Sequence, residues 1–226
     1  MLEQSDKALR TKTSLGVFAV ALTAPLLAGA LASPRPSDAA VVPSAVQSPA
    51  GQFVVESVNG TGCRAADTQV TTRDLSRLNV NFNALQAWTG GGAPAAARRA
   101  NCVVSVRADA PRGYTFGVDN ILLRGRASLP AGTVGTASAS SWFIGRPATA
   151  TFDRAVPGPY VATWDLRRVV RPASIAWMPC WANSPINLNI AVAVRGGARP
   201  GVAASMTMDD GTNEPSASYH FAWKRC

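Results

Sequence analysis

Histidine is nearly absent from this sequence: His220 is the single one in 226 residues. Ser–His–Asp and Cys–His sites need an imidazole base, so one residue must carry any such site. Its neighbours Tyr219 and Phe221 point inward by alternation. His220 therefore faces solvent, and a triad built on it requires a loop covering that face. Cysteine is scarce and even in number, at Cys63, Cys102, Cys180 and Cys226, with no pair at CxxC spacing. That spacing argues against both a four-cysteine zinc site and a redox dithiol. No metal and no cofactor is expected. Acidic residues are few, 13 against 22 Lys and Arg, and Lys224 is the one lysine after residue 32. A convincing 3.6-residue apolar period is missing throughout, which excludes a helical bundle. No internal repeat and no second domain is legible.

The amino terminus reads as a targeting segment. Lys7, Arg10 and Lys12 precede an apolar run from Leu15 to Ala32, and Ala30-Leu31-Ala32 supplies a small-x-small site before Ser33. Residues 1–32 are expected to be a secretory signal peptide. The competing reading is an uncleaved membrane anchor. The run is short for a span of ~20 residues, and Pro25 interrupts it. Residues 33–50, with Pro34, Pro36, Pro43 and Pro49, are expected to form an extended Pro/Ala-rich linker. Residues 51–226 are one domain's worth of chain. An even cysteine count in an exported chain favours disulfides and an extracellular location.

The formal net charge is +9. An anionic partner is one reading: envelope polymer, acidic glycan or membrane surface. The other is codon bias in a GC-rich genome, and it is favoured because the arginines are spread out. The densest pairs are only Arg98-Arg99 and Arg167-Arg168, well short of a basic tract. Export argues against nucleic acid as a partner.

The dominant period is two. Leu78, Val80 and Phe82 alternate with asparagines, and Tyr114, Phe116 and Val118 with Thr115, Gly117 and Asp119. Tyr160 to Leu166, Ile186 to Val194 and Tyr219 to Trp223 follow the same rule, each with one buried and one wet face. Further strand candidates are 53–58, 103–107, 121–129, 134–143, 148–152 and 205–208. Breakers such as Asn59-Gly60, Gly90-Gly91-Gly92, Pro111-Arg112-Gly113 and Pro157-Gly158-Pro159 separate them. About nine to eleven short antiparallel strands imply an all-β single-domain sandwich, with a closed barrel as the alternative.

Seven short motifs occur in order: Val58-Asn59-Gly60-Thr61-Gly62-Cys63, Asn101-Cys102, Pro111-Arg112-Gly113-Tyr114, Arg124-Gly125-Arg126-Ala127-Ser128-Leu129, Trp142-Phe143-Ile144-Gly145, Trp177-Met178-Pro179-Cys180 and Trp223-Lys224-Arg225-Cys226. Over about residues 53 to 226 the chain resembles a family of secreted bacterial and fungal proteins catalogued as domain of unknown function 4360. Leu123 stands where that family often has an aromatic residue, and Trp142 where it often has tyrosine. The resemblance implies export and β structure and brings no catalytic residues with it. Four cysteines allow three pairings. Cys63–Cys102 and Cys180–Cys226 are expected, each closing a loop worth about 4 kcal/mol in the chain-entropy model.

Candidate chemistry is thin. Glycan hydrolysis needs two converging carboxylates, and the sequence does not show which acids converge. The acidic cluster Asp209, Asp210, Asn213 and Glu214 is a weak Ca²⁺ candidate without the alternation of an EF-hand loop, and a hairpin turn is the simpler account. Trp177 and Trp181 are expected to pack on the Cys180 disulfide, as in a sandwich core. Trp88, beside three glycines, is the tryptophan left open for a ligand or partner. The sequence thus points to a secreted, non-enzymatic β-sandwich that binds envelope polysaccharide or another extracellular protein. The rivals are a small extracellular hydrolase acting on glycan or peptide, and a toxin-like effector or inhibitor.

Overall fold

Alternating apolar residues need a surface to bury against, and here two sheets supply it to each other. The computed structural model describes residues 47–147, 151–196, 202–209 and 211–226. The expected signal segment at 1–32, most of the expected linker at 33–50, and Asp210 lie outside the described residues. Twelve strands follow in order: β1 (Gln52–Asn59), β2 (Thr68–Asp74), β3 (Arg77–Phe82), β4 (Gln86–Thr89), β5 (Arg99–Asp109), β6 (Tyr114–Leu129), β7 (Thr133–Phe143), β8 (Phe152–Pro157), β9 (Tyr160–Val169), β10 (Ile186–Gly196), β11 (Ala204–Thr207) and β12 (Ala217–Arg225). Strands β1-β5-β10-β7-β8 form a five-stranded sheet, and β2-β3-β12-β6-β11-β4, with β9 on β6, form a seven-stranded one. Every pairing is antiparallel. The protein is an all-β sandwich.

The inward residues are those the alternation selects. Leu78, Val80 and Phe82 of β3, Ile186, Leu188, Ile190, Val192 and Val194 of β10, and Tyr219, Phe221 and Trp223 of β12 are buried. The two sheets meet through aromatic rings at one end. Phe53 of β1 lies 4.5 Å from Phe221 of β12, and Phe116 of β6 lies 5.3 Å from Phe143 of β7. Trp223 stacks on Phe116 at 4.9 Å, and its indole N–H donates to the Leu75 carbonyl at 2.7 Å. Each such ring pair adds about 0.5–1.5 kcal/mol beyond area burial.

Three details differ from the sequence reading. Residues 114–119 and 121–129 read as separate strands because the inward phase changes from Phe116 and Val118 to Ile121 and Leu123. They are one sixteen-residue strand, and a β-bulge opposite His220/Phe221 shifts the register by one residue. Strands β2 and β4 carry no strong alternation and were not legible. Of the candidate at 148–152, residues 148–150 lie outside the described set, and the strand runs on to Pro157.

A segment without strand structure, residues 170–185, is sewn along the start of β6. Val170 N–H donates to Asp119 O (2.7 Å), Met178 N–H to Phe116 O (2.9 Å), and Thr115 Oγ1 to Met178 O (2.5 Å). It covers what the alternation marks as a wet face, so Thr115 and Gly117 are buried. Gly117 is required by this contact: a Cβ there would stand 2.5 Å from both the Ala176 carbonyl and Ile175 Cγ2. The disulfides join Cys63 to Cys102 and Cys180 to Cys226. The second fastens the segment to the last residue of β12's extension.

The closing bridge spans 46 residues. Its removal in the Cys180→Ser/Cys226→Ser double variant is expected to cost about 4 kcal/mol. At this domain size the Tm should fall by roughly 10 °C. Differential scanning calorimetry and a red-shifted Trp223 emission check this; an unchanged Tm contradicts it.

Candidate functional site

The sewn segment creates a cleft where it meets the end of β5 and the start of β6. The cleft holds about 500 Å³ and is lined by Asp109, Arg112, Tyr114, Met178, Trp181 and Asn183, over a floor that includes Phe116 and Trp223. Asp109 ends β5, Arg112 and Gly113 form the tight turn into β6, and Tyr114 opens β6. Gly113 has φ +88°, a conformation that turns require and side chains resist. Its carbonyl accepts from Cys226 N–H at 2.9 Å, so the turn and the chain's last residue are tied together. Arg225 lies 5.9 Å above the Tyr114 ring.

Trp181 dominates the rim. The expectation that it packs on the disulfide is corrected: it is 80% exposed. The cause is local backbone. Trp181 has φ +70°, the one positive φ outside glycine among the described residues. A left-handed conformation costs a bulky residue about 1–2 kcal/mol. The turn closed by Ala182 N–H on the Pro179 carbonyl (3.1 Å) and the bridge at Cys180 hold it there. The result is an indole turned away from the core and into solvent. Trp177, its companion in sequence, is half-buried under the Lys224 ammonium, 4.1 Å from the ring centroid.

Trp88 sits on β4, at the far edge of the seven-stranded sheet, opposite Ser205. Ala87 and Thr89 are buried and Trp88 turns out, 36% exposed. Two members of the acidic cluster have partners within the fold. Asp209 Oδ1 accepts from Gly211 N–H at 2.8 Å, the geometry of a capped turn, and Glu214 pairs with Arg124 at 3.3 Å. Asp210 lies outside the described residues.

His220 lies on the outer face of β12 and makes no side-chain hydrogen bond among the described residues. Ser76, a hydroxyl in the same groove, donates instead to Asp74 at 2.5 Å. Partial burial holds the imidazole below its ordinary range; Arg77 and Arg167 push the same way, and Asp119 opposes them. Burial moves the Asp119 carboxyl upward.

Sequence reasoning ranked Trp88 above Trp181. The turn formers Pro179, Asn183 and Pro185 around Trp181 were the signal available for the opposite ranking.

Two antiparallel sheets, two disulfides and no free cysteine define a disulfide-locked extracellular β-sandwich. The chain belongs to the family described as domain of unknown function (DUF4360), which it matches over residues 52–226. An "Uncharacterized secreted protein" of Arthroderma benhamiae is 26% identical over 168 residues, 74% of this chain and 68% of that one. The secreted relative and the oxidised cysteines agree, and the protein is secreted. Among solved structures, TmCBM61 in complex with beta-1,4-galactotriose is 12% identical over 80% of this chain and 98% of its own, at TM-score 0.30. The enzymatically active domain of bacteriophage CBA120 tailspike protein 4 is 13% identical over 77% and 19%, at TM-score 0.25. Overlaps this poor carry no argument.

Two outcomes follow. Trp181→Asn should leave the Tm unchanged or slightly higher, since asparagine tolerates the left-handed region and no core contact is lost. A packed tryptophan would instead lose about 3–5 kcal/mol. For His220, a folded-state pKa below the unfolded 6.5 means that the unfolded chain takes up the proton first. Stability should therefore fall as pH drops below about 6.5, a step that His220→Gln removes. Thermal melts of the wild type and His220→Gln from pH 7.5 to 5 measure it, and a step of equal size in both contradicts it.

Proposed function

We propose that this protein is a non-catalytic saccharide-binding domain of the cell exterior, with Trp181 as its docking platform. The observation that carries the reading is the exposed indole, held in a costly backbone conformation over a mixed polar and apolar cleft. An indole face suits the C–H surface of a sugar ring. Asp109, Arg112 and Asn183 line the same cleft and offer both acceptors and donors to hydroxyl groups. Ligand sites combine apolar walls with a few convergent polar groups in this way. A protein partner is less well matched, because the cleft rim offers one large aromatic side chain rather than an apolar core with a polar surround.

The hydrolase alternative draws little support from this cleft. Cleavage of a glycosidic bond needs a pair of carboxylates, and Asp109 is the single acid in its lining. In this reading residues 1–32 direct export, 33–50 tether, and 51–226 bind. Trp88 is a second contact for a long polymer. Neither nucleic acid nor a cofactor takes part, and membrane contact is limited to an uncleaved leader.

The test is retention of purified protein on insoluble cell-wall and chitin-type polysaccharides across a salt series. Stacking is not charge-driven, so binding should persist as salt rises. Trp181→Ala should weaken it 10- to 100-fold, the range of an interface anchor. Absence of binding to every neutral polymer, or full binding by Trp181→Ala, overturns the proposal.

A further inference from the structure

The charge of the chain gathers on a second surface. An open groove of about 820 Å³ on the outer face of the seven-stranded sheet is lined by Arg73, Arg77, Arg124 and Arg167. The registers show how it is built. Across the sheet, Thr71 faces Asn79, Asn79 faces Ser218, Ser218 faces Leu122, and Leu122 faces Arg167. In the next outward row Arg77 faces His220. The alternation that sends Leu78, Val80, Tyr219 and Leu123 into the core turns these residues out. Five strands at about 4.8 Å spacing give a polar track roughly 20 Å wide.

The track is electropositive in net terms. Two acids lie in it, and both are engaged: Glu214 with Arg124 at 3.3 Å, and Asp74 with the N–H and hydroxyl of Ser76 at 2.7 and 2.5 Å. Arg73, Arg77 and Arg167 form no ion pair among the described residues. Arg77 feels Asp74 only at longer range. Like charges gathered without partners oppose folding modestly, and a bound anion relieves them.

We propose that this groove binds an acidic polysaccharide through carboxylate groups taken by the guanidinium forks of Arg73, Arg77 and Arg167. Arginine's planar fork matches a carboxylate in two parallel hydrogen bonds. The cations are spread over four strands rather than converging, which suits a repeating polyanion better than a small ion. Between them lie Thr71, Ser76, Asn79 and Ser218, partners for sugar hydroxyls. No Phe, Tyr or Trp lines the groove, so single-stranded nucleic acid has nothing to stack on. Its apolar lining is limited to Leu122 and Pro215, too little for the core of a protein interface. The site is independent of the Trp181 cleft and goes beyond the neutral-sugar reading.

The experiment uses purified secreted protein, with polygalacturonate and its fully methyl-esterified, uncharged form as probes in affinity electrophoresis and calorimetry. Polygalacturonate should bind with an affinity that falls steeply with salt, and the ester should not bind. The Arg73→Gln/Arg77→Gln/Arg167→Gln variant should keep or slightly raise its Tm and keep its retention on neutral polysaccharide while losing at least tenfold in polygalacturonate affinity. Arg98→Gln/Arg99→Gln/Arg195→Gln removes equal charge from elsewhere and should change the affinity less than twofold. Equal losses in the two variants would assign the binding to net charge and overturn the proposal. So would wild-type affinity in the groove variant, undiminished binding of the ester, or tighter binding of single-stranded DNA or anionic vesicles at matched charge. Trp181→Ala should leave polygalacturonate binding intact, so the two sites fail separately.

Discussion

The Cys180–Cys226 bridge is the constraint on which the rest depends. A segment of irregular backbone cannot stay on a sheet face by hydrophobic burial alone, because its own amides and carbonyls need partners. Here Val170, Met178 and the Met178 carbonyl find them on Asp119, Phe116 and Thr115 of β6, and the disulfide fixes the far end. With that segment in place, Thr115 and Gly117 become interior, and the Phe116–Trp223 stack is capped. The same bridge, with the turn that Ala182 closes on Pro179, holds Trp181 left-handed. One covalent link thus closes the core at one end and builds the cleft outside it.

The molecule presents two surfaces of different chemistry. At the closed end an indole stands over a cleft with one carboxylate, one guanidinium and one amide. On the sheet face, arginines and small polar side chains form a flat track with almost no apolar content. The first offers an aromatic face and local hydrogen-bonding groups, whose contacts salt barely affects; the second offers charge, which is screened within about 10 Å at moderate ionic strength.

Much of the fold was legible because a strand repeats every two residues. Leu78-Val80-Phe82 and Tyr219-Phe221-Trp223 announce their buried side without reference to any other segment. The misreadings occurred where a distant segment overrules that rule. Thr115 looks wet until residues 170–185 lie on it. The change of phase between Val118 and Ile121 looks like a strand break until β12 supplies the register that makes it a bulge. Trp181 looked like core because tryptophan beside a half-cystine usually is; its exposure follows from a backbone angle that no residue type announces. The arginines looked scattered because Arg73, Arg77, Arg124 and Arg167 are up to 94 positions apart in sequence and share a groove only through the pairing of β2, β3, β12, β6 and β9.

The sequence by itself determined the compartment, the all-β class, the buried faces of most strands and the positions of the four half-cystines. These depend on local period and on residue type, which the chain carries wherever it folds. Tertiary structure decided which outward residues share a surface, which wet face is covered, and which tryptophan is free. Strand order and register set those outcomes, and both are properties of pairings between segments far apart in the chain.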